Sequence, residues 1–207
     1  MSRFADFIYE VGILSNTPRS GLHFLGTGEQ SVSEHIYRTL NIAFVLARLT
    51  EQPIDELHLM QMVLFHDLPE ARASDLNWMN HRYVRVDTER LFADLRSDLP
   101  FGEEIIALVR EFEDRTSPEA CIAHDADQLE FLVTLREQVD RGNPQARAWI
   151  PPVLARLTTT AAQKLAEEIM DTPSDEWWFK DKSDSYWVNR QGSKAEDGIL
   201  PQKLPRR

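Results

Sequence analysis

The run MQMVLFHD ends on His66-Asp67, a polar pair closing a strongly apolar stretch. A lone His35 lies far upstream, and an acidic DAD, Asp125 to Asp127, lies far downstream. Two imidazoles and two carboxylates brought together by the fold would hold one divalent metal, and that donor set points to phosphate cleavage. Mixed nitrogen and oxygen donors suit borderline first-row ions better than calcium, and the lack of paired thiolates suggests neither structural zinc nor an iron–sulfur cluster. Separations this long are not local, so three different helices must converge. A lone His on an apolar helix face is more often a satisfied core residue than a ligand, so the weight rests on the combination.

Helical periodicity runs through the chain and strand alternation is scarce. Phe4, Phe7, Ile8, Val11 and Leu14 recur at three- and four-residue steps and predict a first amphipathic helix. Asn16 to Gln30, with Pro18, Gly21, Gly26 and Gly28, reads as a loop. Ser31 or Ser33 can cap a helix over about Val32 to Leu49, whose apolar face carries His35 inward. Asp55 to Phe65 has little polar face and predicts a buried helix. Pro69 pushes the preceding backbone out of helical geometry, which places His66-Asp67 at a helix end. Neighbours on a regular helix point about 100° apart, so two adjacent donors need that terminal backbone to serve one ion. Further helices are expected at about Arg85 to Leu95, Glu103 to Glu113, Pro118 to Val139, Gln145 to Leu157 and Thr159 to Met170. Ser117-Pro118 is a strong start signal for the third of these. From Thr172 onward aromatic residues mix with charges without a clear period. That stretch predicts an irregular extension, its last ten or so residues mobile. The expected organisation is one all-α bundle, residues 1–171, followed by an extension, 172–207.

Composition narrows the function classes. The chain has 207 residues, enough to bury a sizeable core, and its single Cys121 excludes an internal disulfide. A formal net charge of −11 disfavours binding to nucleic acid polymers. A small anionic substrate remains compatible, because a metal ion and one or two arginines can reverse the potential inside a pocket. No apolar stretch approaches the roughly 20 residues needed to span a bilayer. The first residues carry Asp6 and Glu10 and do not read as a signal peptide, so a reducing, cytoplasmic setting is expected.

His35 in SVSEHIYR, the run LFHDLPEARASDL and the later HDADQLEFL together resemble the H…HD…D signature of the HD-domain metal-dependent phosphohydrolases. Within that superfamily the chain is most similar to the YfbR-type 5′-deoxynucleotidases, over roughly Phe4 to Gln138. The resemblance implies an all-α HD-domain bundle that hydrolyses deoxynucleoside 5′-monophosphates with one divalent metal ion (Mn, Co, Mg, Zn, Fe or Ni). It implies His35, His66, Asp67 and Asp127 as the ligands. Asp127 is chosen over Asp125 by likeness alone, since periodicity favours neither. Glu70, three residues after Asp67 as in the family's HDxxE, would orient or deprotonate a water or protonate the leaving oxygen. Arg19 in TPRSG would grip the phosphate and Asp75 would accept from a sugar 3′-hydroxyl. Relatives commonly form dimers, so a homodimer is implied.

Here the chain departs from the family pattern, because no Trp follows Arg19; Leu22 or His23 occupies the neighbourhood. A hydrolase of nucleoside triphosphates or another phosphoester is therefore the rival enzyme reading, and a noncatalytic metal- or nucleotide-binding helical module is the rival of another class. Trp78, Tyr83 and Trp177-Trp178 are candidates to stack on a base, His81 and Arg82 to add positive charge, and Glu29 and Glu34 to orient the His35 imidazole.

Overall fold

Wherever apolar residues recur every three to four positions the chain forms a helix, and a polar side chain closes the start of most of them. The computed structural model describes residues 3–189 and divides into two compact units, Met1–Asp171 and Thr172–Arg207. In the first unit the helices are α1 (Phe4–Ile13), α2 (Val32–Leu49), α3 (Glu56–Phe65), α4 (Glu70–Ala73), α5 (Thr88–Asp98), α6 (Gly102–Asp114), α7 (Pro118–Asp140), α8 (Pro144–Leu154) and α9 (Thr160–Asp171). Two short 3₁₀ turns, Ser20–Leu25 and Asn80–Arg82, join them, and no strand occurs among the described residues.

Local chemistry sets the helix starts. Ser31 forms a reciprocal capping box with Glu34, satisfying two backbone donors that the first turn of α2 would leave orphaned. Asp55, Ser117 and Asn143 cap α3, α7 and α8, with Pro at the first turn of the latter two. Helix α5 begins at Thr88 rather than near Arg85, because the Asp87 carboxylate accepts the Arg90 N–H and fixes the start there. The expected loop over Asn16 to Gln30 contains the first 3₁₀ turn. Its two ends are tied by backbone hydrogen bonds from Arg19 N–H to Gln30 and from Val32 N–H to Thr17.

Helix α7 is the axis of the first unit. Leu129, Leu132 and Leu135 are fully buried on it and pack with Leu46 of α2 and Leu59 and Met62 of α3. A second apolar cluster joins Val32 and Ile36 of α2 to Phe92 and Leu95 of α5 and Ile105 and Ile106 of α6. Gly102 is required where α6 leaves α5: a Cβ there would sit 2.4 Å from the Leu95 carbonyl oxygen. Helix α3 is buried on one face only. Leu59, Met62 and Val63 point inward while Leu57 and Leu64 are exposed, so its apolar character overstates its burial.

In the second unit the segment expected to be irregular contains two short helices, α10 (Glu176–Phe179) and α11 (Ser185–Asn189). Trp178 stacks on Phe179 at 5.1 Å and Trp187 meets the Phe179 ring edge-on at 4.6 Å. The expectation for the last ten residues lies outside the described residues. Among those described, no helix is long and apolar enough to cross a membrane. Replacing the cap by Ser31→Ala is expected to lower stability by about 1 kcal/mol, read as a shift of the denaturant midpoint.

Candidate metal centre

Three elements deliver the site. His35 stands on the buried face of α2, His66 and Asp67 follow the last turn of α3, and Asp127 sits in the middle of α7. The chain turns tightly after α3, with Leu68 N–H bonded to Phe65 and Glu70 N–H to Asp67, and so carries two consecutive donors to the same point. Donor atoms of His35, His66 and Asp127 all lie within 4.8 Å of one another. Asp67 Oδ2 lies 3.5 Å from His35 Nε2 and 3.2 Å from His66 Nε2, and Asp127 Oδ1 lies 3.1 Å from His35 Nε2. The structure thus brings together the four residues that the sequence singled out.

The ring nitrogens on the far side determine which nitrogen of each imidazole faces the carboxylates. His35 Nδ1–H donates to Glu130 Oε2 at 2.7 Å, and His66 Nδ1–H donates to the Val63 carbonyl at 2.8 Å. In a neutral imidazole the other nitrogen then carries a lone pair. Both Nε2 atoms are buried, make no hydrogen bond, and face carboxylate oxygens. Lone pairs pointing at anions inside a protein require a proton or a cation between them. Burial and Arg19 work against charging His35, yet Asp127 and Glu130 outweigh them and hold its pKa up at about 9. Burial likewise opposes ionising Asp67, but His66, His35 and Arg19 bring its pKa down to about 2. Asp127, against the same burial, is driven well below the usual carboxylate range by His35 and Arg19. The pocket is built for positive charge, and its mixed donor set fits a first-row divalent ion.

Glu130 is the partner that the sequence reading missed. It is fully buried on α7, and besides His35 it accepts from Gln30 Nε2 at 2.6 Å and Thr134 Oγ1 at 3.3 Å. Glu34 and Glu29 do not orient His35: Glu34 is spent in the capping box and Glu29 is exposed. The ambiguity on α7 resolves spatially. Asp125 is fully buried and turned to the start of α9, where it accepts from Thr158 N–H at 2.9 Å and Thr159 N–H at 2.8 Å.

A cavity of about 830 Å³ opens beside Asp127, with Arg19, Asp75, Trp78, Trp149 and Arg156 in its walls. Arg19 reaches Asp67 at 3.4 Å and Asp75 at 3.9 Å. Asp75 is not a surface carboxylate: it accepts Ser20 N–H at 2.9 Å, and burial raises its pKa against the pull of Arg19. Ser74 adopts φ 64° to bring Asp75 round from the end of α4, a conformation costing of order 1–3 kcal/mol for a non-glycine residue. Glu70 Oε2 is buried without a hydrogen-bond partner, and burial together with Asp67 and Asp75 raises its pKa to about 9. His81 also lines the cavity, while Arg82 stacks on Trp78. Tyr83 is exposed and does not line it; in the second unit Trp177 is exposed and Trp178 packs on Phe179. Asp125→Ala strips buried donors of their acceptor and is expected to cost about 3 kcal/mol in equilibrium unfolding while leaving metal content intact.

Comparison with known proteins agrees with this geometry. The chain is 26% identical over 143 residues to the 5′-deoxynucleotidase HDDC2 of Danio rerio, spanning 66% of this chain and 70% of that protein. A conserved hypothetical protein of Pyrococcus furiosus has the same fold, with a TM-score of 0.70 at 24% identity over 81% of this chain and 99% of that one. The structure of a predicted metal-dependent phosphohydrolase from Magnetospirillum magnetotacticum superposes with a TM-score of 0.64 at 25% identity, covering 82% and 92% of the two chains. The sequence profile described as HD domain matches residues 11–170, the greater part of the chain, which therefore belongs to the HD domain family.

Proposed function

We propose that the protein is a divalent-metal-dependent 5′-nucleotidase that hydrolyses deoxynucleoside 5′-monophosphates to the deoxynucleoside and phosphate. The observation that carries the reading is the pair of buried, unpartnered Nε2 atoms of His35 and His66 facing the carboxylates of Asp67 and Asp127. These four residues would hold one ion, drawn from Mn, Co, Mg, Zn, Fe or Ni. When bound, such an ion polarises a phosphoryl oxygen and makes water more acidic. The relatives that carry the name 5′-deoxynucleotidase support the choice of substrate.

The chain's own residues supply the rest. Arg19 presents its planar fork to the phosphate, its position held by Asp67 and Asp75. Asp75, fixed by Ser20, accepts from the sugar 3′-hydroxyl. Glu70 holds a proton on its carboxyl group near neutral pH. Water adds to phosphorus, the P–O5′ bond breaks, and Glu70 gives its proton to the departing O5′; of the two protons of the attacking water one stays on the released phosphate and the other restores the Glu70 carboxyl group. Glu130 fixes the imidazole plane of His35 and raises its basicity toward a cation. The reading extends to a cytoplasmic homodimer whose only nucleic-acid-derived ligand is a small nucleotide.

Metal analysis of purified protein coupled to a nucleotide panel tests this directly. Phosphate released from dAMP supports it, triphosphate released from dATP transfers the assignment to the triphosphate class, and bound metal without turnover indicates a binding module. Asp67→Ala and Asp127→Ala are expected to reduce bound metal to traces, and Glu130→Gln to weaken metal affinity by about 10- to 100-fold. Wild-type metal content in Asp127→Ala would refute the ligand set. Glu70→Gln is expected to keep the metal and slow turnover by roughly 10²- to 10⁴-fold; an unchanged rate would remove Glu70 from the proton transfer.

A further inference from the structure

The cavity contains an arginine that the phosphate chemistry leaves unused. Arg156 follows α8 and donates from Nη1 to Gln128 Oε1 at 2.9 Å, while Gln128 Nε2 donates to Asp127 Oδ2 at 2.7 Å. Both ends of the Gln128 amide are therefore committed, one to Arg156 and the other to the metal-site carboxylate. The amide acts as a spacer that fixes the guanidinium relative to Asp127 and sets it back from the metal site. Among the described residues Arg156 has no carboxylate partner, whereas Arg19 is paired with Asp67 and Asp75. One of the five guanidinium N–H donors is used, and the others remain available on a group that lines the cavity.

The surroundings match the face of a nucleobase. Phe131, one turn beyond Gln128 on α7, and Trp149 on α8 lie in the same cavity with ring centroids 6.3 Å apart, inclined at 52°. Aromatic walls accept any base, because every base has a π face, so stacking by itself does not discriminate. A fixed fork of donors does. Guanine offers O6 and N7 to it as paired acceptors and thymine offers a carbonyl oxygen, whereas adenine sets its N6 amino donor beside N7. A donor facing a donor gains nothing and loses its water.

Resting on the nucleotidase reading above, we infer that Arg156, positioned by Gln128, reads the base edge and makes the enzyme prefer deoxynucleotides whose base carries an oxo group on the edge where adenine carries its amino group, dGMP and dTMP, over dAMP. The preference resides in binding, since these contacts form equally in the ground and transition states, and so it appears in KM rather than kcat.

The test measures kcat and KM for dGMP, dTMP and dAMP with the metal-loaded wild type, Arg156→Lys and Arg156→Gln. It is paired with calorimetric titration of deoxyguanosine and deoxyadenosine, which needs no turnover. The wild type is expected to favour dGMP and dTMP over dAMP by about tenfold or more in kcat/KM, through KM. Both variants are expected to bring that ratio close to unity; Arg156→Lys keeps the charge and loses the fork, so it separates recognition from simple electrostatics. A wild type that does not discriminate, or variants that keep the wild-type ratio, would overturn the inference. If no monophosphate is cleaved, the nucleotidase reading fails on its own and the titrations still decide: tighter deoxyguanosine binding that is lost in the variants upholds base reading, and equal binding of the two nucleosides ends it.

Discussion

The hydrogen bond between His35 and Glu130 is the constraint on which the rest of the centre depends. Both side chains are wholly buried, one on α2 and the other on α7, and a buried carboxylate is tolerated only when its oxygens are satisfied. Glu130 meets that condition with His35 on one oxygen and Gln30 and Thr134 on the other. This network fixes the register of α2 against α7. It also determines which way the imidazole faces, leaving its second nitrogen toward Asp67 and Asp127. A rotated ring would leave Glu130 Oε2 buried without its donor, so the orientation of the imidazole is secured by the desolvation of its partner.

Much of the arrangement was legible from residue types because local rules coincide with it. The apolar neighbours of His35 on α2 oblige it to face inward, and Pro69 obliges the chain to leave the helix at His66-Asp67. The caps at Ser31 and Ser117 mark starts that the structure reproduces. Asp125 and Asp127 defeated local reasoning because both fall on a helix buried on nearly every side, and only the return of the chain at Thr158 and Thr159 tells them apart. Glu130 left a usable signal: an acidic residue within QLEFLVTL, on a helix with no solvated face, must have a buried partner. Glu34 competed for that role by proximity in sequence, but its side chain closes its own helix start. The link from Arg156 through Gln128 to Asp127 spans separate segments and has no signature in residue order.

Charge in the centre is balanced by position more than by count. Asp67, Asp75, Asp127 and Glu70 crowd one region, and Arg19 is drawn deep enough to interact with all four. Its own proton is held more firmly than usual by those carboxylates, despite burial. Such a surplus of anionic groups favours a divalent cation, and two carboxylates three residues apart are moved in opposite directions: burial opposes ionising Asp67 but His66, His35 and Arg19 draw its pKa down, while burial with Asp67 and Asp75 pushes that of Glu70 up. The left-handed backbone at Ser74 is the local cost of returning Asp75 to this cluster.

Along α7, Asp125 anchors the entry to α9, Asp127 faces the donors of α2 and α3, and Glu130 secures His35. One residue inserted into or deleted from this stretch would turn everything beyond it by about 100° and detach several of these attachments at once. Descendants of such a chain can therefore vary in length at the turns flanking the helix, around Thr116 and Gly142, while the span between them admits substitution but not insertion or deletion.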